Sequence, residues 1–143
     1  MSQPRLSIHL SAFNPEIAIP CWDIRDRVFS QEQQIDPELD IDGLDEQSWM
    51  ILAMVDDQPA GTGRMLTDGH IGRLAVLADY RGMGIGSAIV EAFTELAQQQ
   101  GYKRLYLSAQ VRAADFYLSL GYQPCAEPHM EAGIPHQMME KLL

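Results

Sequence analysis

The fold turns on one stretch: Ile71-Gly-Arg-Leu-Ala-Val-Leu77, then Ala78-Asp-Tyr-Arg81, then Gly82-Met-Gly-Ile-Gly-Ser87, running on into Ala88-Ile-Val-Glu-Ala-Phe-Thr-Glu-Leu-Ala97. The apolar run through Leu74, Ala75, Val76 and Leu77 reads as a strand. From Ile85 the apolar residues fall at Ile85, Ala88, Ile89, Ala92, Phe93, Leu96 and Ala97, which places one face of a helix against a core, and Gly101 closes it. Between strand and helix stand Gly82, Gly84 and Gly86. Glycines at alternate positions leave the first amides of the helix uncovered, and those amides, together with the helix dipole, suit an anion such as a pyrophosphate.

Two better-known phosphate-binding patterns fit these residues poorly. A P-loop carries Lys-Ser/Thr after its last glycine, whereas Gly86 is followed by Ser87-Ala88. The dinucleotide fingerprint G-x-G-x-x-G fails at Ser87, and no acidic residue follows at the distance needed to hold a ribose.

At 143 residues the chain amounts to a single domain, 1–143, with enough length to bury a core. A formal net charge of −10 argues against nucleic acid as a partner, since phosphate backbones are held by clustered Lys and Arg. Surplus acid suits either a soluble surface or attraction of cationic amines. Two cysteines, Cys21 and Cys125, and no basic-then-apolar leader predict a cytoplasmic protein with unbridged thiols, and no apolar run is long enough to span a membrane.

Before the deciding stretch, Leu6, Ile8, Leu10 and Ala12 alternate with polar residues as a half-buried strand, broken at Asn14-Pro15. The spacing of Cys21, Ile24, Arg25 and Val28 predicts a helix from Pro20 to about Gln31. Residues 32–47 are acidic and aperiodic, which fits a solvated loop or short helix, or else an acidic wall beside an amine site. Trp49 to Val55 and Ala60 to Leu66 form a hairpin across Asp56-Asp57-Gln58-Pro59, and Asp68-Gly69 turns into the strand at 70–77. After it come a strand at Leu105–Ala109, a helix from about Arg112 to Leu120 capped by Gly121, a short strand near Tyr122–Ala126, a loop through Gly133-Ile134-Pro135 and a last strand from about Gln137. The expected architecture is α/β (α+β): a mixed, mostly antiparallel twisted sheet of six to seven strands flanked by helices.

Arg81, Gly84 and Gly86 fit Q/R-x-x-G-x-G/A after an apolar strand, and Ala114-Asp115-Phe116-Tyr117-Leu118-Ser119-Leu120-Gly121-Tyr122 is similar to A-x-x-F-Y-x-x-x-G-F/Y. With both motifs in order on the expected elements, nearly the whole chain resembles the GNAT superfamily of N-acetyltransferases. The resemblance implies acetyl-coenzyme A as co-substrate, no metal, a small-molecule or peptide amine as acceptor, and a central strand pair that splays apart. It leaves room for a homodimer. It further implies that the backbone of Leu74, Ala75 and Val76 pairs with the pantetheine arm. The pyrophosphate would sit on the amides of Arg81, Gly82, Met83, Gly84, Ile85, Gly86 and Ser87, with Arg81 also capping carbonyls or covering the cofactor. Tyr117 would meet the coenzyme sulfur.

Acyl transfer from a thioester to an amine needs a neutral nucleophile, a donor for the carbonyl oxygen and a proton for the departing sulfur. A backbone amide near Ala75–Val76 suits the second need and Tyr117 the third. For the base, His70 at the start of the cofactor strand and His136 at the mouth of the last strand are the titratable candidates, with Glu32, Asp45 and Glu46 across the cleft. Glu32 and Asp45 are alternatively substrate-facing, and Arg73 would hold an anionic substrate group. A coenzyme A-binding sensor without turnover is the alternative reading, and a nucleotide-binding module is disfavoured by the missing Lys.

Overall fold

The computed structural model describes residues 3–143. Strand β1 (Leu6–Ala12) is followed by helix α1 (Pro15–Arg25), which begins earlier than the Pro20 start predicted from spacing. The residues that end the strand also start the helix. Asn14 is extended, its side-chain oxygen accepts the Ile17 N–H at 3.1 Å, and Pro15 fills the first turn, where no N–H is needed. Beyond Arg25 the helix widens into π-helical turns, Asp26–Glu32. The acidic stretch forms a short helix α2 (Pro37–Asp40) and a 3₁₀ turn at Asp45–Gln47.

Strands β2 (Trp49–Val55), β3 (Gln58–Met65) and β4 (Ile71–Val76) complete a four-stranded antiparallel sheet in the order β1-β2-β3-β4. The β2–β3 turn is tighter than expected, with Asp56 and Asp57 both in left-handed conformation. Helix α3 (Ile85–Gln99) leads to β5 (Arg104–Gln110), and α4 (Ala114–Ser119) follows a 3₁₀ turn at Val111–Ala113. The tail holds β6 (Gln123–Pro124), β7 (His129–Glu131) and β8 (Ile134–Leu142). The loop expected through Gly133 is thus a β-hairpin turn, and the last strand starts at Ile134 rather than near Gln137. In the second sheet β8 lies between β5 and β6 and also pairs with β7.

The expected sheet is therefore divided in two. The halves meet at one parallel bridge, His70 to Tyr106, where the Tyr106 N–H donates to Gly69 O at 3.1 Å. Past it, no ladder among the described residues joins β4 to β5, so the central pair splays and leaves an opening in the middle of the fold.

Helices cover both faces of the first sheet. Ile85, Ile89, Phe93 and Ala97 of α3 pack with Ile51, Ala53 and Ala60, while Ala18, Cys21 and Ile24 of α1 pack with Met50, Leu52 and Ala75. The alternation along β2 sends successive residues to opposite faces, and both faces are buried. Gly61 and Gly63 let α3 lie close to β3. A Cβ at either would stand 2.9 Å from an isoleucine methyl of the helix, Ile85 or Ile89.

Candidate active site

A bulge re-aims β4 at its midpoint. Pairing with β3 runs Arg64 to Gly72 and Thr62 to Ala75, so the register shifts between them, and Arg73 takes a left-handed φ of +53°. Farther along, the Leu77 N–H donates to Ala60 O on β3 at 2.8 Å. Strand alternation then turns the backbone groups of Val76, and of Leu74 before it, away from β3 and toward the opening. In agreement, the Val76 carbonyl accepts Arg81 Nε at 3.0 Å. Arg81 caps that carbonyl and also forms a two-pronged pair with Glu32 at 2.7 and 2.8 Å, which holds the Glu32 carboxyl below its ordinary range.

The opening is a cavity of about 850 Å³, lined by Leu74, Ala75, Val76, Arg81 and Gly86 on one side and by Ser108, Ala109 and Gln110 of β5 on the other. Beside it, a smaller hollow of about 260 Å³ is lined by Tyr80, Gly82, Gly84, Ile85, Gly86, Ser87 and Phe116. Gly84 is the N-cap of α3 and is left-handed, at φ +80°, with no side chain capping the helix. The first intrahelical bond runs from the Ala88 N–H to Gly84 O, so the amides of Ile85, Gly86 and Ser87 lack helical partners. A Cβ at Gly82 or Gly84 would meet nothing within 4 Å, which leaves the space over those amides open to an anion. Gly86 differs: its missing side chain makes room for Phe116, 3.3 Å from where a Cβ would stand, so its role is packing as well as access. Met83 is exposed and lines neither hollow, and the Ile85 side chain is buried in the core. These residues fit a pyrophosphate at the hollow and a narrow arm running into the cavity.

Tyr117 of α4 lines the cavity from the β5 side, packed edge-on against Phe116 at 4.9 Å and Tyr122 at 6.0 Å. Burial pushes its hydroxyl up to about 12, so it is a protonated donor at neutral pH. His70 and His136 line the same cavity. His70 lies stacked on Tyr106, with centroids 4.6 Å apart. Burial, helped by the charges of Arg64 and Arg73 and opposed by Asp68, lowers its pKa and keeps the ring neutral. His136 is buried, and its Nδ1–H donates to the Ile134 carbonyl at 2.7 Å. It faces Glu131 on the hairpin, a cavity residue that the loop reading of this segment missed. A two-residue turn is the only local signal for that hairpin, and Ala132 at φ +51° is a residue seldom found in one.

The acidic stretch is largely exposed and includes the expected short helix, and Glu32 and Asp40 reach the cavity, but Asp40, Asp42 and Asp45 are held by arginines rather than free to face an amine. Arg25 pairs with Asp45 at 2.8 Å and Asp40 at 3.0 Å, Arg64 with Asp45 at 3.2 Å and with Asp42, and Arg73 with Asp42 at 3.3 Å and Asp40 at 3.1 Å. Three arginines and three aspartates alternate in a closed ring that clasps residues 40–45 onto α1, β3 and β4. Asp45, expected beside the substrate, is buried there, with Trp22 Nε1 donating to it at 3.1 Å. Arg73, expected to hold a substrate anion, lines the cavity but has its charge committed to Asp40 and Asp42. Glu32 also lines the cavity, tied to Arg81, whereas Glu46 is exposed and does not line it.

A family model described as "Acetyltransferase (GNAT) domain" matches residues 23–143. YyaT of Bacillus subtilis, an uncharacterised protein, is 40% identical over 124 residues, covering 82% of this chain and 84% of that protein. YjcF of the same organism, an uncharacterised N-acetyltransferase, is 34% identical over 134 residues, covering 91% and 96%. The crystal structure of an acyl-CoA N-acyltransferase from Pseudomonas aeruginosa superposes with a TM-score of 0.83 at 25% identity, covering 96% of this chain and 99% of that one.

Proposed function

The chain belongs to the GNAT family of acetyltransferases, and from that premise we propose that it moves an acetyl group from acetyl-coenzyme A to a primary amine of a small molecule or peptide by direct attack on the thioester. The carrying observation is the continuity of the site: open helix amides at Gly84–Ser87 adjoin a cavity that runs between β4 and β5 to Tyr117 and the two histidines.

Bound there, acetyl-coenzyme A would supply an acetyl group already activated as a thioester. The amides of Ile85, Gly86 and Ser87 hold the pyrophosphate against the positive end of α3. Leu74 and Val76 turn their amides to the cofactor arm, and the one nearest the thioester donates to the carbonyl oxygen as it gains charge. Tyr117 supplies the proton for the departing sulfur. The neutral walls of Leu74, Ala75 and Phe116 keep water from competing with the amine.

Thiol release from acetyl-coenzyme A is to be followed with putrescine, tyramine and a glycyl dipeptide as acceptors. Acceleration by an amine supports the transfer; coenzyme A binding with no amine-dependent release would make the chain a sensor instead.

A separate expected result concerns the cradle. Gly84→Val will weaken coenzyme A binding at least tenfold by calorimetry, because the branched side chain would stand in the space over the free amides. Left-handed strain of about 1–3 kcal/mol is within what a domain of this size tolerates. Gly84→Ala, smaller in the same place, will lose less. A folded valine variant that binds within threefold of the parent would show the pyrophosphate to sit elsewhere.

A further inference from the structure

The β7–β8 hairpin carries a cluster around His136, one of the two candidate bases. Glu131 Oε1 accepts two hydrogen bonds, from Ser108 Oγ on β5 at 2.7 Å and from His129 Nε2 at 2.6 Å. Its other oxygen, Oε2, is turned to His136 Nε2 at 3.8 Å. In the neutral ring of His136 the proton is on Nδ1, because that nitrogen lies 2.7 Å from the Ile134 carbonyl and a carbonyl can only accept. Nε2 therefore presents a lone pair. Two acceptors face each other at a distance too long for a hydrogen bond between them and too short for a water in line, at the wall of the cavity that also holds Tyr117. Such a fork is complete only when a donor with at least two N–H bonds sits beside it and gives one to each.

We propose that Glu131 Oε2 and His136 Nε2 are the acceptor-amine site, Glu131 positioning a primary ammonium and His136 taking its proton. The inference rests on the acetyl-transfer reading and deepens it by naming the residues that meet the acceptor, a cationic amine with at least two N–H bonds. Tertiary and quaternary ammonium groups, which lack two N–H bonds, are excluded. Glu131 suits the ammonium because it stays charged. Burial opposes its ionisation, but the hydrogen bonds from His129 and Ser108 outweigh that and hold the carboxyl below its ordinary range. A carboxylate so stabilised is a poor proton acceptor, which leaves that task to the imidazole.

The protons balance. The ammonium gives one to His136 Nε2, which passes it to solvent, and the freed nitrogen lone pair forms the C–N bond as the C–S bond breaks. The nitrogen then loses a second proton, which replaces the one that Tyr117 gives to sulfur. The net result is amide, free thiol and one proton. The groups facing His136 are Glu131 and His129 from β7, and the same cavity presents His70, Arg112 and Tyr117.

The test uses the full chain, with whichever of putrescine, tyramine and the glycyl dipeptide the parent acetylates fastest. Glu131→Gln keeps an acceptor for Ser108 and removes the charge, so the KM for the amine will rise at least tenfold, and calorimetric binding of that amine to the coenzyme A complex will weaken by the same factor, with coenzyme A binding unchanged. His136→Asn will lower kcat at pH 7 about a hundredfold. Its rate will then climb about tenfold per pH unit toward the amine's own pKa, near 10.4 for an alkylamine, while the parent's levels off earlier. That pH rescue separates a base from a residue that merely packs. Parental KM and amine binding in Glu131→Gln, or a pH profile of parental shape in His136→Asn, overturns the inference alone. A parent that acetylates no amine overturns the acetyl-transfer reading and this inference with it.

Discussion

Asp45→Asn will destabilise the protein by about 3 kcal/mol at pH 7, lowering the thermal midpoint by about 10 °C. Taking one partner from a buried ion pair costs about 3–5 kcal/mol, since the other charge stays out of water. The low end applies because Arg25 keeps Asp40 and Arg64 keeps Asp42 when Asp45 loses its charge. The loss is still large, because Arg25 is 1% and Arg64 4% exposed. Asp42→Asn will cost less, as its side chain is 29% exposed and water screens what remains. The effect also has a direction in pH. Burial opposes the charge of Asp45, but Arg25, Trp22 and Arg64 together outweigh it and hold the carboxyl below its usual range. A carboxyl depressed in the folded state stabilises above its unfolded value, about 3.9, and that contribution fades as pH falls through the folded value. Parent and Asp45→Asn melting curves, far apart at pH 7, will therefore converge below about pH 4. Equal stability at pH 7 would mean that the ring contributes nothing beyond its own desolvation. Replacing the Arg25–Asp45 pair by Met and Leu together will cost less than the two single losses summed, because neither charge is then stranded.

The same ring marks where the sequence stops being legible. The strand, glycine turn and helix at 71–99 could be read because each depends on neighbours in the chain: a periodic face, a left-handed cap, a free amide. Arg25 lies on α1, some forty residues before Arg64 and Arg73 on β3 and β4, and nothing local to any of the three marks it as a partner of the acidic stretch. Nothing in residues 32–47 indicates that Asp40, Asp42 and Asp45 turn inward to meet them, so a charge run that resembled a surface is in fact a clasp. The first helix starts earlier than its spacing predicts for a local reason: Asn14-Pro15 both breaks a strand and caps a helix, and the periodic face that identifies the helix begins only near Pro20. Gly86 belonged to a glycine pattern whose other members lie open, yet its own constraint comes from Phe116, thirty positions on, at 3.3 Å. Glu131 was hidden because its hairpin turns on Ala132 in a left-handed conformation, a choice that local propensity argues against.

Tyr117→Phe will lower kcat about a hundredfold and leave acetyl-coenzyme A binding nearly unchanged. The ring is wedged between Phe116 on α4 and Tyr122 just ahead of β6, and phenylalanine keeps those edge-on contacts, so only the hydroxyl is removed. In the free protein burial raises the pKa of that hydroxyl to about 12 and keeps it protonated. A donor in that state gains most when a strong acceptor appears beside it. Sulfur is a weak acceptor while it is part of the thioester and a strong one as the C–S bond breaks, so the hydrogen bond strengthens toward the transition state and its loss falls on kcat rather than on affinity. The dependence on leaving group follows from the same charge. An acyl donor with a more acidic thiol needs the proton less, so the ratio of parent to variant rates will shrink toward one as the thiol pKa falls. A residue that only packed would give a ratio indifferent to the thiol. The measurement is single-turnover thiol release with acetyl-coenzyme A and with a short aryl thioester, parent against variant. Parental rates with the natural donor would return Tyr117 to the core as a buried aromatic and move the search for the acid to water at the open end of the cavity.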